Sequence, residues 1–464
     1  MVRGHMPHLH LLRPALIVLL ALGSLPLAAE DAAVPRPSPA GPLSTAIPGM
    51  PELPPVGPRG TLSADVYRRR RHALMEKFKT GAALVTNEMT FDGLREGMDF
   101  YYLTGIDEAG AALLLEPTAP PTPFYNSARE SLFLTSLEVE TERWHGARAE
   151  LPSNSLEVAT GFAAIHRLSS LPGTLVYACL HRGGLTYLGD FVAEPRPRPK
   201  VMDFYAKATE RTYGCREVHD LNGTIARMRE VKEPAELALM RQAIVYTGAG
   251  HAAGLQAVHP GAHEYDVKDA VENAFRRAGS RHVAYDSIVG SGTDSAFLHY
   301  GKDDRVMKSG ELILLDVAGE AEYYAADVTR TLPVNGKFSP DQRAIYEIVL
   351  KAQAAGIAAA KAGVRVGDID AATRKVIAEA GYNDYYIHGC CHFVGLEVHD
   401  AGDYDAPLPA GAVITVEPGI YLPQRGFGIR IEDEILITPT GAELLTAAIP
   451  KDPAELERLM AARH

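Results

Sequence analysis

Apolar and polar positions alternate along this chain with two different periods. Short apolar runs of strand length, GAALVTN (81–87), AGAALLLEP (109–117), ESLFLTS (130–136) and GTLVYACL (173–180), predict strands. Ahead of them, YRRRRHALMEKFKT (67–80) predicts a helix with a basic outer face. From Glu233 onward the period lengthens: Leu237, Met240 and Ile244 recur at helical spacing behind Pro234, a residue suited to a first helical turn. Further helices are expected at 265–278, 340–361 and 367–380. ELILLDV (311–317), AVITVEP (412–418) and FGIRIEDEILIT (427–438) read as strands that would form a curved sheet, and they carry the carboxylates Asp316, Glu417 and Glu432. The pattern predicts an α/β N-terminal domain over 61–222 and a separate α+β domain over 223–464.

The second domain repeats itself. A shift of 101 residues lays Asp316 on Glu417 and Gly310 on Gly411. A shift of 102 lays Gly261 on Gly363, Asp266 on Asp368, Ala270 on Ala372, Ala278 on Ala380 and Gly279 on Gly381. A duplicated unit of about a hundred residues, helix first and strands after, predicts two halves packed about a pseudo-twofold axis. Asp327, 11 residues beyond Asp316, corresponds to Glu432, 15 beyond Glu417. One carboxylate at a strand end is ordinarily just solvated. Four at matching ends of a duplicated unit would crowd like charges together, which only cations make tolerable.

His392 adds one imidazole to the four acids. Oxygen ligands with a single nitrogen form a hard site, suited to Mn²⁺ first, with Co²⁺ or Zn²⁺ as alternatives. Five groups exceed the needs of one ion. Two ions about 3.5–4 Å apart would use them all, and such pairs serve hydrolysis.

SAFLHY around His299, LDVAGEAEYYAADVTRT, HGCCHFVGLEVHD, TVEPGIY and IRIEDEILIT resemble the pita-bread dinuclear metallopeptidases, specifically aminopeptidase P and prolidase, over about residues 225–445. The resemblance implies a pita-bread catalytic domain with Asp316 as terminal ligand, Asp327 and Glu432 bridging two metals, and His392 and Glu417 on the second metal. It further implies that His299 and His399 bind substrate and stabilise the tetrahedral intermediate, and that Glu417 carries a proton to the leaving nitrogen. His388 is expected to line the substrate pocket or to serve as a structural hydrogen-bonding group. Arg430 either orients carboxylates from behind or forms a salt bridge without catalytic role. The reaction implied is cleavage between an N-terminal residue and a following proline, with prolidase action on Xaa-Pro dipeptides and a non-catalytic pita-bread binding protein as alternatives. DFYYLTGIDEAGAALLLEP and ERWHGAR resemble the N-terminal domain of aminopeptidase P, whereas the short Glu417–Glu432 connection resembles prolidases. Proline-containing peptides are the expected partners, and a homo-oligomer the expected assembly.

The N-terminus carries a different message. Arg3 and Arg13 frame the start of PALIVLLALGSLPLAA, which ends in small residues, so 1–29 reads as a cleavable secretory signal and predicts a periplasmic or secreted protein. An uncleaved anchor is the alternative, although the run is short for a spanning helix. Residues 30–60 are dense in proline and read as a tether. Losing Arg3 and Arg13 moves the formal charge from −12 to −14, an acidity that argues against nucleic acid as a partner. The run Arg68–Arg71 is then read as a solvated helix face instead of a polyanion site. Four cysteines define no framework in 464 residues. Cys179 and Cys215 are free to pair after export, and Cys390 and Cys391 are first read as pocket-wall residues.

Overall fold

The computed structural model describes residues 62–87, 98–108, 110–118, 129–135, 151, 156–157, 160–181, 185–188 and 217–462. The signal segment, the proline-rich stretch, ERWHGAR, Cys215 and the side chain of Cys179 lie outside the described residues. Among the described residues, no helix is long and apolar enough to cross a membrane.

The first part of the chain builds a mixed sheet from β1 (Ala82–Thr86), β2 (Ala112–Leu115), β3 (Glu130–Leu134), β4 (Ile165–Arg167), β5 (Leu185–Leu188) and β6 (Glu217–Asp220), in the order β4-β3-β2-β1-β5-β6. β1, β2 and β3 are antiparallel neighbours, while β4, β5 and β6 join in parallel. β1 and β2 are buried along their whole length, which explains why they read as unbroken apolar runs. Helices α1 (Ala64–Phe78), α2 (Asp99–Thr104) and α3 (Leu171–His181) accompany this sheet.

Two expectations fail here. GTLVYACL is helix α3 and not a strand, because Leu171, Leu175 and Ala178 are the buried positions and their spacing belongs to one helical face. An apolar run of eight residues fits either period until burial selects one. The arginine run is not wholly solvated either. Arg68 and Arg69 face water, but Arg70 and Arg71 turn inward beside Tyr67, Leu74 and Phe78. Arg71 pairs with Glu130 at 2.8 Å, donates to the Leu103 carbonyl and covers the Phe162 ring. Arg70 pairs with Glu233 and Glu236, which begin a helix of the second domain. Planar guanidinium groups can be buried where carboxylates, carbonyls and ring faces satisfy them, and the elements packed against this helix supply all three.

The second part runs through helices α4 (Asn222–Glu230), α5 (Pro234–Ala257) and α6 (Glu264–Ala278), then strands β7 (Ile288–Ser291), β8 (Leu312–Asp316), β9 (Glu320–Ala321), β10 (Tyr324–Ala325) and β11 (Thr329–Pro333). Helices α7 (Pro340–Ala359) and α8 (Val366–Glu379) follow, with β12 (Val413–Val416), β13 (Gly419–Leu422), β14 (Phe427–Arg430), β15 (Asp433–Ile437), β16 (Ala442–Leu444) and α9 (Pro453–Ala461) after them. Pro234 opens α5 as its first residue, and the Glu233 amide donates to the Glu236 carboxylate at 2.8 Å. α5 then lies close on α6 because Gly250 has no side chain: a methyl there would meet the Phe275 ring at 2.0 Å.

The duplication is visible in the backbone. Asp266 and Asp368 do the same work at the starts of α6 and α8, accepting the amides of His263 at 2.8 Å and Arg365 at 3.1 Å. Gly310 and Gly411 precede β8 and β12 with φ of 88° and 97°, a left-handed turn that favours glycine. β8 then pairs antiparallel with β11, and β12 with β15.

The strands pair as four small sheets and not as one continuous one: the β9-β10 pair, β11-β8-β7, β12-β15-β16 and the β13-β14 hairpin. FGIRIEDEILIT is accordingly two strands, since β14 pairs with β13 while β15 pairs with β12. Ile431 and Glu432 occupy the break between them.

Candidate active site

Each acidic group sits where a strand stops. Asp316 is the last residue of β8, Glu417 follows β12, Asp327 lies between β10 and β11, and Glu432 lies between β14 and β15. His392 arrives on an irregular segment laid against β12: its carbonyl accepts the Thr415 amide at 2.9 Å, and its own amide donates to the Thr415 hydroxyl at 3.0 Å. The Glu417 amide donates to the Cys390 carbonyl at 2.8 Å, so the His392 and Glu417 segments are in fixed register.

These five side chains converge. His392 Nε2 lies 3.3 Å from Asp327, 3.5 Å from Glu417 and 3.9 Å from Glu432. Asp316 joins through Tyr285, whose hydroxyl lies 2.6 Å from a carboxylate oxygen of both Asp316 and Asp327. Donor atoms of Asp327, His392 and Glu432 all fall within 4.8 Å of one another.

The electrostatics ask for positive charge. Burial, reinforced by Asp327, Glu417 and Asp316, holds the Glu432 carboxyl well above its ordinary range. Burial pushes Glu417 up to about 7, against the opposing pull of His392 and Arg430. Burial works against the His392 imidazolium, yet its bond to Asp327 and the charge of Glu417 raise it to about 9. Several buried acids crowded together, with their carboxyls held above the ordinary range, mark a pocket suited to positive charge, and hard oxygen donors with one imidazole suit divalent cations. The donor set therefore fits metal.

Around the acids stands a ring of supports. Arg430 donates to Asp316 and bonds Thr329 and Tyr421 at 3.0 Å each, so its guanidinium rests on a site carboxylate and is no isolated surface pair. His388 meets the Tyr421 hydroxyl at 2.8 Å and lies 3.9 Å from Glu417; burial, aided by Arg430, brings it down to about 4. Thr329 donates to Glu432 at 2.6 Å, and Glu434 accepts the Asp327 amide. Tyr285, Thr329, Tyr421 and Glu434 were not singled out by sequence reasoning. Thr329, Tyr421 and Glu434 do fall inside the motifs LDVAGEAEYYAADVTRT, TVEPGIY and IRIEDEILIT, where proximity to Asp327, Glu417 and Glu432 was the available signal.

His399 and His299 are both exposed, and His299 is close enough to His399 to bear on its charge. The His399 ring meets His392 edge-on with centroids 4.4 Å apart. Partial burial, then the neighbouring His392 and His299, hold His399 down to about 4. Cys390 and Cys391 are buried directly before His392, and their sulfurs are paired as a vicinal disulfide.

Residues 238–439 match metallopeptidase family M24, and residues 67–178 match the aminopeptidase P N-terminal domain. The chain is 32% identical to the Xaa-Pro aminopeptidase of Haemophilus influenzae over 446 residues, covering 86% of this chain and 98% of that one. It belongs to metallopeptidase family M24. The aminopeptidase P N-terminal domain comes with the catalytic part, so the chain has the two-domain plan, and its second domain has the pita-bread fold. An Xaa-Pro dipeptidase of Pyrococcus furiosus is 37% identical over 235 residues, covering 50% of this chain and 67% of that protein. The structure of zinc-substituted aminopeptidase P from Escherichia coli in complex with product superimposes with a TM-score of 0.78 at 30% identity, covering 87% of this chain and 99% of that one. The chain is thus a hydrolase of the metallopeptidase class, and the expectation of a non-catalytic binding protein falls away.

Proposed function

We propose that this chain removes the first residue from peptides whose second residue is proline. The observation that carries the reading is the convergence of Asp327, Glu417 and Glu432 on one imidazole, with Asp316 joined to Asp327 through Tyr285, in a chain whose N-terminal domain is of the aminopeptidase P kind. Asp316 would hold one divalent ion, His392 and Glu417 the other, with Asp327 and Glu432 bridging. Mn²⁺ is the proposed ion, with Co²⁺ and Zn²⁺ as alternates. Such ions, when bound, polarise a carbonyl and lower the pKa of a water to near neutrality.

The chain's own groups do the rest. His299 and His399 are both exposed, and their N–H donors can receive the charge that develops on the scissile carbonyl oxygen. Glu417 faces both the cluster and His388, a position from which a carboxyl group can carry a proton to the leaving nitrogen. Tyr285 and Arg430 hold Asp316 from two sides, so its carboxylate cannot swing away as substrate binds.

Proline defines the substrate because the bond before it is a tertiary amide without an N–H and with restricted geometry, which ordinary peptidases handle poorly. Phe297 and Ile387 are 55% and 60% exposed and flank His299 and His388 in the chain, offering apolar surface of the kind a pyrrolidine ring would contact. Aminopeptidase action is favoured over dipeptidase action by the extent of likeness: 98% of the aminopeptidase is covered, against 67% of the dipeptidase. Comparing kcat/KM for an Xaa-Pro dipeptide and an Xaa-Pro-Xaa tripeptide with the same first residue, with Mn²⁺ added, is the test. At least equal efficiency on the tripeptide is expected. Turnover confined to the dipeptide would move the assignment to prolidase.

Export is proposed from the basic and apolar pattern of residues 1–29. Recovery of a mature chain beginning near Ala29 or Glu30 from outside the cytosol is the expected result. A full-length chain found only in the cytosol would remove the basis for this reading.

A further inference from the structure

Behind the His399 loop lies a buried cluster of five charged groups that takes no direct part in the chemistry above. Arg229, the next-to-last residue of α4, donates to Asp99 at 2.7 Å, to Glu397 at 2.9 Å and to Asp400. Lys232 donates to the other Asp400 oxygen at 2.9 Å and to the Arg229 carbonyl at 2.8 Å. Arg229, Lys232 and Asp400 are 3%, 4% and 5% exposed, so this is not a surface network. Taking several ions out of water is costly, and pairing them does not by itself make a fold more stable than apolar packing would. Such a cluster calls for a role beyond holding the fold together.

Its placement supplies one. Asp400 directly follows His399, and its amide donates to the Phe393 carbonyl at 2.8 Å, closing a turn that runs from the His392 side of the cluster to His399. Gly395 within that turn leaves the space Asp400 fills: a methyl there would lie 2.1 Å from the Asp400 carboxylate and 2.9 Å from the Lys232 side chain. Glu397, also on the turn, accepts the Met98 amide at 3.3 Å. Asp99 begins α2 of the first domain. One guanidinium therefore grips the His399 turn at two points and the N-terminal domain at a third.

We propose that Arg229 is a positioning residue: through Asp400 and Glu397 it fixes the turn that aims His399 at the reacting carbonyl, and through Asp99 it makes that aim depend on the N-terminal domain. This rests on His399 acting as a donor to the developing oxyanion. A planar fork that satisfies three carboxylates has no equivalent in an ammonium or an amide.

The test is a set of steady-state measurements on an Xaa-Pro-Xaa peptide, with metal content and thermal melting recorded for every variant. Arg229→Gln is expected to lower kcat about 10–100-fold, the range seen when groups supporting a functional side chain are lost, with KM and metal content little changed. Arg229→Lys should fall between it and the native enzyme. Asp99→Asn, at the far end of the network, should lower kcat in the same sense. The deciding comparison repeats Arg229→Gln in a His399→Ala background, where no further loss is expected because the residue being aimed is already gone. Equal losses in both backgrounds would overturn the positioning role while leaving the donor role of His399 standing. A His399→Ala enzyme with native kcat would overturn both. Should Arg229→Gln fail to fold, Arg229→Lys carries the same comparison.

Discussion

Asp327→Asn is expected to strip both cation positions and to lower kcat by more than the ~10²–10³-fold that loss of one oxyanion donor costs. Asp327 is the central acid of the cluster: one oxygen faces His392 at 3.3 Å and the other meets the Tyr285 hydroxyl, which also holds Asp316. It is 5% exposed, so no water can take over its contacts easily. An amide keeps the shape but removes the charge that the proposed bridging ligand would contribute to two ions. Elemental analysis after mild dialysis should approach two divalent ions per native chain, with both depleted in the variant. A native enzyme that works fully with one ion and never gains from a second would sink the paired arrangement.

His399→Ala and His299→Ala should give the second-largest effect, a loss of about 10²–10³ in kcat for each with metal content retained. Both imidazoles are exposed, and neither is among the donor atoms grouped with His392. The split between turnover and metal content is the informative readout. A folded variant that arrives without metal would mean that ligands and donors have been assigned to the wrong histidines.

Much of this site was legible because its acids sit at the ends of apolar runs, where a change from buried to polar marks a strand terminus. Asp316 and Glu417 follow this pattern, and the matched glycines and aspartates around them reveal the duplication before any coordinates. Glu432 lies in the same cluster, but its setting differs from the single strand expected, since a continuous apolar pattern cannot show that β14 and β15 pair with different partners. Tyr285 was invisible: it is one of 20 tyrosines, 31 residues before Asp316 in a segment without distinctive pattern. Arg229 was equally hidden, because its carboxylate partners lie 130 to 171 residues away and no local period encodes them. Arg70 and Arg71 were misjudged for a related reason. Charge predicts exposure only when the fold brings no carboxylate or ring face to meet it, and here Glu130, Glu233 and Phe162 all arrive from distant sequence.

The two repeats meet at the acids themselves: the Glu432 amide donates to the Thr329 carbonyl at 3.1 Å, and the Thr329 hydroxyl returns a bond to the Glu432 carboxylate. A cation bound between Asp316 or Asp327 on one side and Glu417 or Glu432 on the other is therefore a keystone as well as a reagent. Binding only to the folded chain adds about 2.7 kcal/mol to its stability when free ion exceeds Kd a hundredfold. Cation supply then governs how long each molecule survives, as well as how fast it works.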